Sequence, residues 1–359
     1  MTNFYVDADI RKAKTLNTEF YITPAIFNVS KERIFAKSWH FITHAENMQS
    51  RNCYPFTLLP SFINEPLLLT KYAEDEFYCL SNVCTHRGNL VITEACKTTN
   101  LRCKYHGRIF QLDGQFKSMP EFKEVENFPT PSDDLYQLPV YRFGNLLFTS
   151  LHNMMDPALF FSDMHQRLHW IPFTEFKWQQ QLSKEYFVDA HWALYCENYL
   201  EGFHIPFVHS GLNAVIDYSE YTTEIFPYSN LQLGIAKEDE DCFDLPTTSP
   251  DYGKRIAAYY FWVFPNMMFN FYPWGLSLNI VQPIAINKTK VSFYTYIWKE
   301  EKYNRGAGSD LDKVEMEDEE IVQQVQKGVQ SRFYTHGRYS ASREQGTHHF
   351  HRLIAEFMN

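Results

Sequence analysis

The sequence predicts an α+β fold, with a small all-β module followed by a larger domain in which helices cover an antiparallel sheet. Three observations carry that prediction. From about Phe41 to Leu151, short apolar runs are separated by Pro, Asn, Asp and Gly. Farther on, "YYFWVFPNMMFNFYPWGLSLNIVQPI" (259–284) and "KVSFYTYIWKE" (290–300) have the aromatic and β-branched content of long strands. Residues 186–202 and most of 310–357 carry helical patterning instead.

Taken in order, residues 18–40 predict a first helix after Pro24, with Ile26, Phe27, Ile34 and Phe35 near helical spacing. The β module follows in "PFTLLP" (55–60), "PLLLTKYA" (66–73), "EFYCLSNV" (76–83), "GRIFQLDGQF" (107–116) and "GNLLFTSL" (144–151). Asp113-Gly114 is a hairpin signal within it. The expected boundaries are a helical segment at 1–40 packing with the larger domain, the β module at 41–155, and the larger domain at 156–359.

Composition narrows the class. With 45% hydrophobic and 21% charged residues in 359, the chain is globular and long enough for two domains. No window approaches the ~20 apolar residues of a membrane helix, and "MTNFYVDADIRKAK" lacks a signal peptide's apolar run, so a cytoplasmic protein without a membrane partner is expected. A net charge of −10 argues against a nucleic-acid partner and suits a small or cationic substrate. Seven cysteines, an odd number, favour metal ligation or burial over a disulfide framework.

Two constellations carry chemistry. In the first, "CTHRGN" (84–89) and "CKYHG" (103–107) supply Cys84, His86, Cys103 and His106. Two Cys and two His suit zinc, but here each pair runs into a glycine, on a tight loop expected at a hairpin tip. In the second, "CENYLEGFHIPFVHSG" (196–211) sets Glu201, His204 and His209 at spacings of three and five. On a straight helix His209 falls about 140° from His204, and Pro206 is expected to break the helix and let it return. A third ligand comes from "DLDKVEMEDEEIVQQVQKGVQ" (310–330), where Val314, Asp318, Ile321, Val325 and Val329 form one stripe. Asp318 thus occupies an apolar position and calls for a cation. Glu315, Glu319 and Glu320 lie off the stripe and are expected to be solvated. Two histidines and a carboxylate make the facial triad of a non-haem Fe(II) site.

The first constellation resembles the Rieske [2Fe–2S] module, in which imidazoles replace two thiolates and raise the cluster potential. Asn89 and Tyr105 stand where respiratory members carry an extra Cys, so the loops resemble the oxygenase type. Arg108 departs from it, replacing the usual Trp. With the blocks "EFYITPAIF…ERIFAKSWH", "PNMMFNFYP" and "EDEEIVQQVQKGVQSRFYTHGRYS", nearly the whole chain resembles the α subunit of Rieske non-haem iron oxygenases, in the choline and carnitine monooxygenase-like branch.

That resemblance implies a [2Fe–2S] cluster on Cys84, His86, Cys103 and His106, and a mononuclear iron on His204, His209 and Asp318. Glu201 takes the place of a carboxylate that bridges to a neighbouring subunit's Rieske histidine, which implies a head-to-tail homotrimer. Asn198, one turn before Glu201, is a candidate supporting residue. Electrons come from NAD(P)H through a separate reductase or ferredoxin, because no G-x-G-x-x-G fingerprint occurs here. O₂ is the co-substrate and a quaternary amine the expected substrate, with aromatics of Tyr259–Trp274 as a possible cation–π cage. The alternatives are an aromatic ring-hydroxylating dioxygenase, a Rieske electron carrier and a zinc-stabilised binding protein. "HHFHR" (348–352) is expected to be a partly exposed helix face.

Overall fold

The structure, a computed structural model, describes residues 3–152 and 155–359. It divides into two compact units, Ala36–Met155 and a larger one that joins the N-terminal residues through Phe35 to Asp156–Asn359. Among the described residues, no helix is long and apolar enough to cross a membrane.

The N-terminal segment of the larger unit forms α1 (Glu19–Ile22) and α2 (Pro24–Arg33). Pro24 opens α2, where its missing N–H costs nothing. Ile34 and Phe35 lie beyond the helix end and are fully buried.

The smaller unit is all β. Its strands are β1 (His40–His44), β2 (Cys53–Leu58), β3 (Glu65–Lys71), β4 (Phe77–Ser81), β5 (Leu101–Arg102), β6 (Ile109–Phe110), β7 (Phe116–Ser118), β8 (Gln137–Leu138), β9 (Val140–Phe143) and β10 (Leu146–Thr149). They form three antiparallel sheets, β1-β10-β9, β2-β3-β4-β8 and β5-β6-β7. The Asp113-Gly114 turn joins β6 to β7, with Gly114 at φ +91°. Leu68, Leu80, Leu101 and Phe110 pack into one core with the thiols of Cys84 and Cys103.

The larger unit is built on one eight-stranded antiparallel sheet. Its strands are β11 (Lys177–Trp178), β12 (Lys184–Val188), β13 (Thr222–Ile225), β14 (Ser229–Ile235), β15 (Ile256–Val263), β16 (Met267–Tyr272), β17 (Gly275–Ala285) and β18 (Lys288–Ile297). The order is β11-β18-β17-β16-β15-β14-β13, with β12 also pairing β18. Every residue of β15 and β16 is buried, so both faces are covered and the sequence reads as a continuous apolar run. The two faces nevertheless differ. One carries Phe261, Phe269 and Leu278 in register, and α3 (Ala158–Arg167) sets Phe161 edge-on against Phe269 at 6.4 Å. The other carries Gln232, Tyr260, Asn270 and Ser277 as one cross-strand row.

The α+β architecture agrees with the sequence, but one helix is shorter than its pattern implied. Residues 186–202 contain the end of β12 and then α4 (Trp192–Tyr199). Tyr186 and Val188 pair with Val291 and Thr289 of β18, and those ladder bonds outcompete helix for this apolar stretch. His191 then caps α4, its Nδ1 accepting from the Ala193 N–H at 3.3 Å.

The remaining helices are α5 (Ile205–Val208), α6 (Ser210–Val215), α7 (Leu311–Val329) and α8 (Gln345–Met358). Of the "HHFHR" stretch on α8, His348, Phe350 and His351 are buried, His349 is half-buried and only Arg352 is exposed, so the face is more enclosed than the sequence implies. His348 Nε2 meets the Asp7 carbonyl at 2.7 Å, and His351 lies between Tyr339 and Glu197. These ties to distant residues hold the polar rings inside the protein. Gly346 lets α8 approach the end of α4 closely. A Cβ there would stand 2.2 Å from the Leu200 carbonyl oxygen. Gly346→Ala is therefore expected to cost about 1–3 kcal/mol, read as a lower midpoint of thermal or urea unfolding.

Candidate metal centres

In the larger unit, three donor atoms from distant parts of the chain converge. α4 ends at Tyr199, and Glu201 lies in the turn that follows, outside any helix. His204 is the N-cap of α5 and His209 lies between α5 and α6. Pro206 does not break a helix, as the sequence suggested. It sits in the first turn of α5, where it is tolerated, and the irregular backbone after α4 does the turning.

His204 Nε2 and His209 Nε2 are 3.1 Å apart. Asp318 Oδ1 lies 3.0 Å from the second and 3.6 Å from the first. Each ring is held from behind by a carboxylate, Glu201 Oε1 on His204 Nδ1 and Glu317 Oε2 on His209 Nδ1, both at 2.8 Å. An anionic acceptor at Nδ1 keeps the proton there and leaves Nε2 a bare lone pair. Two such lone pairs facing each other and a carboxylate oxygen repel unless a cation or proton lies among them. Ligands at right angles on ~2.1 Å bonds stand about 3.0 Å apart, so the donor set fits a metal with open positions. Burial disfavours the charged His209 ring, but Asp318 and Glu317 outweigh it and hold its pKa above the usual value. Asn198 Nδ2 donates to Asp318 Oδ1 at 2.5 Å and fixes that carboxylate.

Helix α7 differs from its expected stripe. Its buried residues are Glu315, Val322, Gln326 and Val329, with Asp318 at the border and Val325 exposed. The polar members are buried because they have distant partners, Tyr195 Oη for Glu315 and the His191 N–H for Gln326. Glu315, expected to be solvated, is only 4% exposed. Burial, reinforced by the charges of Asp318, Glu319 and Asp312, pushes its carboxyl up to about 8 against the opposing Tyr195 hydrogen bond. Glu319 is half-buried, and Glu320 is exposed. Glu317 was missed altogether, since a ring 108 residues away leaves no mark on the local pattern.

A cavity opens beside the three donors. Tyr195, Tyr199, Tyr221, Tyr260, Tyr272 and Phe293 give it aromatic walls, and among the described residues no Lys or Arg lines it. The other aromatics of 259–274, such as Phe261, Trp262 and Trp274, lie outside this lining and are fully buried.

In the smaller unit the two Cys/His loops are the same turn. The Cys84 N–H donates to the Asn89 carbonyl at 2.8 Å and the Cys103 N–H to that of Arg108 at 2.9 Å. Gly88 and Gly107 close the loops by donating back to the cysteine carbonyls, at φ +71° and +75°. Both thiols are buried, while the His86 and His106 rings lie nearer the surface with centroids 4.7 Å apart. Burial opposes the Cys103 thiolate, but donors from Tyr105, Asn89 and His106 outweigh it and lower its pKa. Asn89 Nδ2 reaches Cys103 Sγ at 3.5 Å. Two inner sulfurs with N–H donors and two outer imidazoles fit a [2Fe–2S] cluster.

Arg108 has a definite role. Its guanidinium is buried, lies 4.9 to 5.6 Å from the rings of Phe110, Phe116 and Phe128, and pairs with Asp133 Oδ1 at 2.7 Å. A flat cation thus fills the space expected of an indole. The Asp133 carbonyl also accepts from Thr85 Oγ1 at 2.7 Å, so one residue ties both cluster loops.

Residues 175–359 match the model of the ring hydroxylating alpha subunit (catalytic domain), and residues 38–129 that of the Rieske [2Fe-2S] domain. Choline monooxygenase, chloroplastic, of Beta vulgaris is 27% identical, with 96% of this chain and 77% of the relative covered. The carnitine monooxygenase oxygenase subunit of Escherichia coli (strain K12) is 26% identical, at 97% and 95% coverage. Among solved structures, a quaternary ammonium Rieske monooxygenase in complex with L-carnitine superposes at TM-score 0.74, with 22% identity and 98% and 97% coverage. Naphthalene 1,2-dioxygenase from Rhodococcus sp. superposes at 0.71, with 17% identity and 96% and 94% coverage.

Two outcomes are expected. Asp318→Ala removes one of three converging donors and should cut the mononuclear iron content at least ~10-fold, leaving the visible and EPR spectra of the Rieske cluster intact. Asp133→Ala strands a buried guanidinium and should destabilise the smaller unit by about 3 kcal/mol, measured by chemical denaturation.

Proposed function

The chain belongs to the ring-hydroxylating alpha subunit family with a Rieske [2Fe-2S] domain, and on that premise we propose that it oxidises a small quaternary ammonium compound. Family membership makes it an iron-dependent oxygenase that carries a Rieske cluster and a mononuclear iron. The observation that supports the substrate class is the cavity beside His204, His209 and Asp318, which combines six Tyr and Phe side chains with acidic groups and, among the described residues, has no Lys or Arg in its lining. A quaternary ammonium has no N–H to donate, so aromatic faces and diffuse negative charge are what recognise it. The relatives named above act, by their names, on choline and carnitine.

In this reading Cys84, His86, Cys103 and His106 hold the cluster, and His204, His209 and Asp318 hold the mononuclear iron. When bound, these groups supply reductive O₂ activation, with electrons delivered one at a time from a separate reductase. The rest of the chemistry belongs to the chain's residues. Glu201 and Glu317 keep the Nδ1 protons in place and so fix both ring orientations. Asn198 holds the Asp318 carboxylate. The aromatic walls press the substrate's methyl groups toward the donors and exclude water. Glu201 Oε2 also accepts the His204 N–H at 3.1 Å, leaving Oε1 a lone pair for a Rieske histidine of a neighbouring subunit in a head-to-tail homotrimer.

An aromatic ring-hydroxylating activity gains no support from the polar row Gln232–Tyr260–Asn270–Ser277, part of the cavity wall, because a flat hydrocarbon leaves those groups unmatched.

The test is O₂ uptake driven by NADH and a generic reductase, across choline, L-carnitine, glycine betaine and simple aromatics. Uptake that depends on the amines is the expected result, and uptake that depends only on the aromatics contradicts the reading. Glu201→Gln should leave both iron centres assembled and lower coupled turnover about 10–100-fold, measured as product formed per NADH consumed.

A further inference from the structure

The cavity holds one buried carboxyl group that the proposed chemistry does not use. Glu201 is occupied by His204 and backbone N–H groups, and Asp318 by Asn198 and the metal position. Glu315 is different. Tyr195 donates to its Oε2, but Oε1 is buried without a hydrogen-bond partner among the described residues. No Lys or Arg lines this cavity to neutralise it. Ionising a buried carboxyl with a free oxygen is costly unless a cation meets it.

A second cavity adjoins the first and shares Ser277, Phe293, Leu311 and Glu315 with it. Asp310 and Asp312 line that second space, and its one Lys, Lys184, is already paired with Asp312. Glu315 therefore stands where an acidic vestibule meets the aromatic chamber.

We propose that Glu315 is the counter-ion that receives the substrate's cationic head, and that this cavity selects a monocationic quaternary ammonium alcohol over a zwitterionic betaine. The second half follows from the same lining. A betaine brings a carboxylate of its own, for which the cavity offers no Lys or Arg and which the carboxylates of Glu201 and Asp318 repel. A choline-like ligand brings only the charge that Glu315 lacks, and a hydroxyl suited to the amides of the sheet face. This inference rests on the quaternary-amine reading and narrows it.

The experiment is equilibrium binding to the anaerobic, iron-loaded protein by calorimetry. The probes are choline, its neutral carbon isostere 3,3-dimethylbutan-1-ol, and L-carnitine. The parent protein should bind choline at least ~10-fold tighter than either of the others. Glu315→Gln should lower the choline-to-isostere preference about tenfold while isostere affinity stays within about twofold. An unchanged preference in Glu315→Gln, with iron content intact, overturns the assignment of Glu315 while the amine reading stands. L-carnitine bound as tightly as choline overturns the selection of a monocation. If no amine binds or supports O₂ uptake, the amine reading falls and this inference with it. Should the variant fail to fold, the parent's choline-to-carnitine ratio decides alone, near one or below against the proposal and above ~10 for it.

Discussion

Two short hydrogen bonds, Glu201 to His204 and Glu317 to His209, set the chemistry of the larger unit. By holding the protons on the outer ring nitrogens, they turn both inner nitrogens into lone-pair donors that face one another and Asp318. That arrangement is unstable without positive charge. The elements around it follow from the need to hold it: Asn198 restrains Asp318, α7 delivers Glu317 and Asp318 together, and α8 closes against the end of α4.

The sheet gives this centre its selectivity. A strand alternates its side chains between two faces, so β14 to β17 place Phe261, Phe269 and Leu278 on one side and Gln232, Tyr260, Asn270 and Ser277 on the other. The apolar side is packed and supplies stability. The polar and aromatic side walls the cavity, and α7 adds Glu315 to it. In the smaller unit one residue has a comparable organising part, since Asp133 ties the two cluster loops through Thr85 and the buried Arg108.

Much of this was legible in the sequence because some residue types seldom fall into such patterns without a metal to hold. The paired Cys and His loops point to metals before any contact is known, whereas the apolar stripe that singled out Asp318 is not the face α7 buries. The α+β class follows from the switch between strand-like and helical runs. What stayed hidden depends on partners far along the chain. Glu315 reads as a solvated charge until Tyr195, 120 residues away, is seen beside it. Glu317 is one more acid in an acidic run until His209 is placed against it. The buried histidines of α8 and the break between β12 and α4 were misread for the same reason: apolar texture signals burial but not whether ladder, helix or distant hydrogen bond satisfies the backbone and rings.

The central claim is that both donor sets carry iron, one as a cluster and one as a single ion. Iron and acid-labile sulfide counted on protein purified without oxygen test it most directly. The account predicts about three irons and two sulfides per chain. Two irons with two sulfides would leave the converged histidines without their metal, and zinc alone in either site would contradict the account.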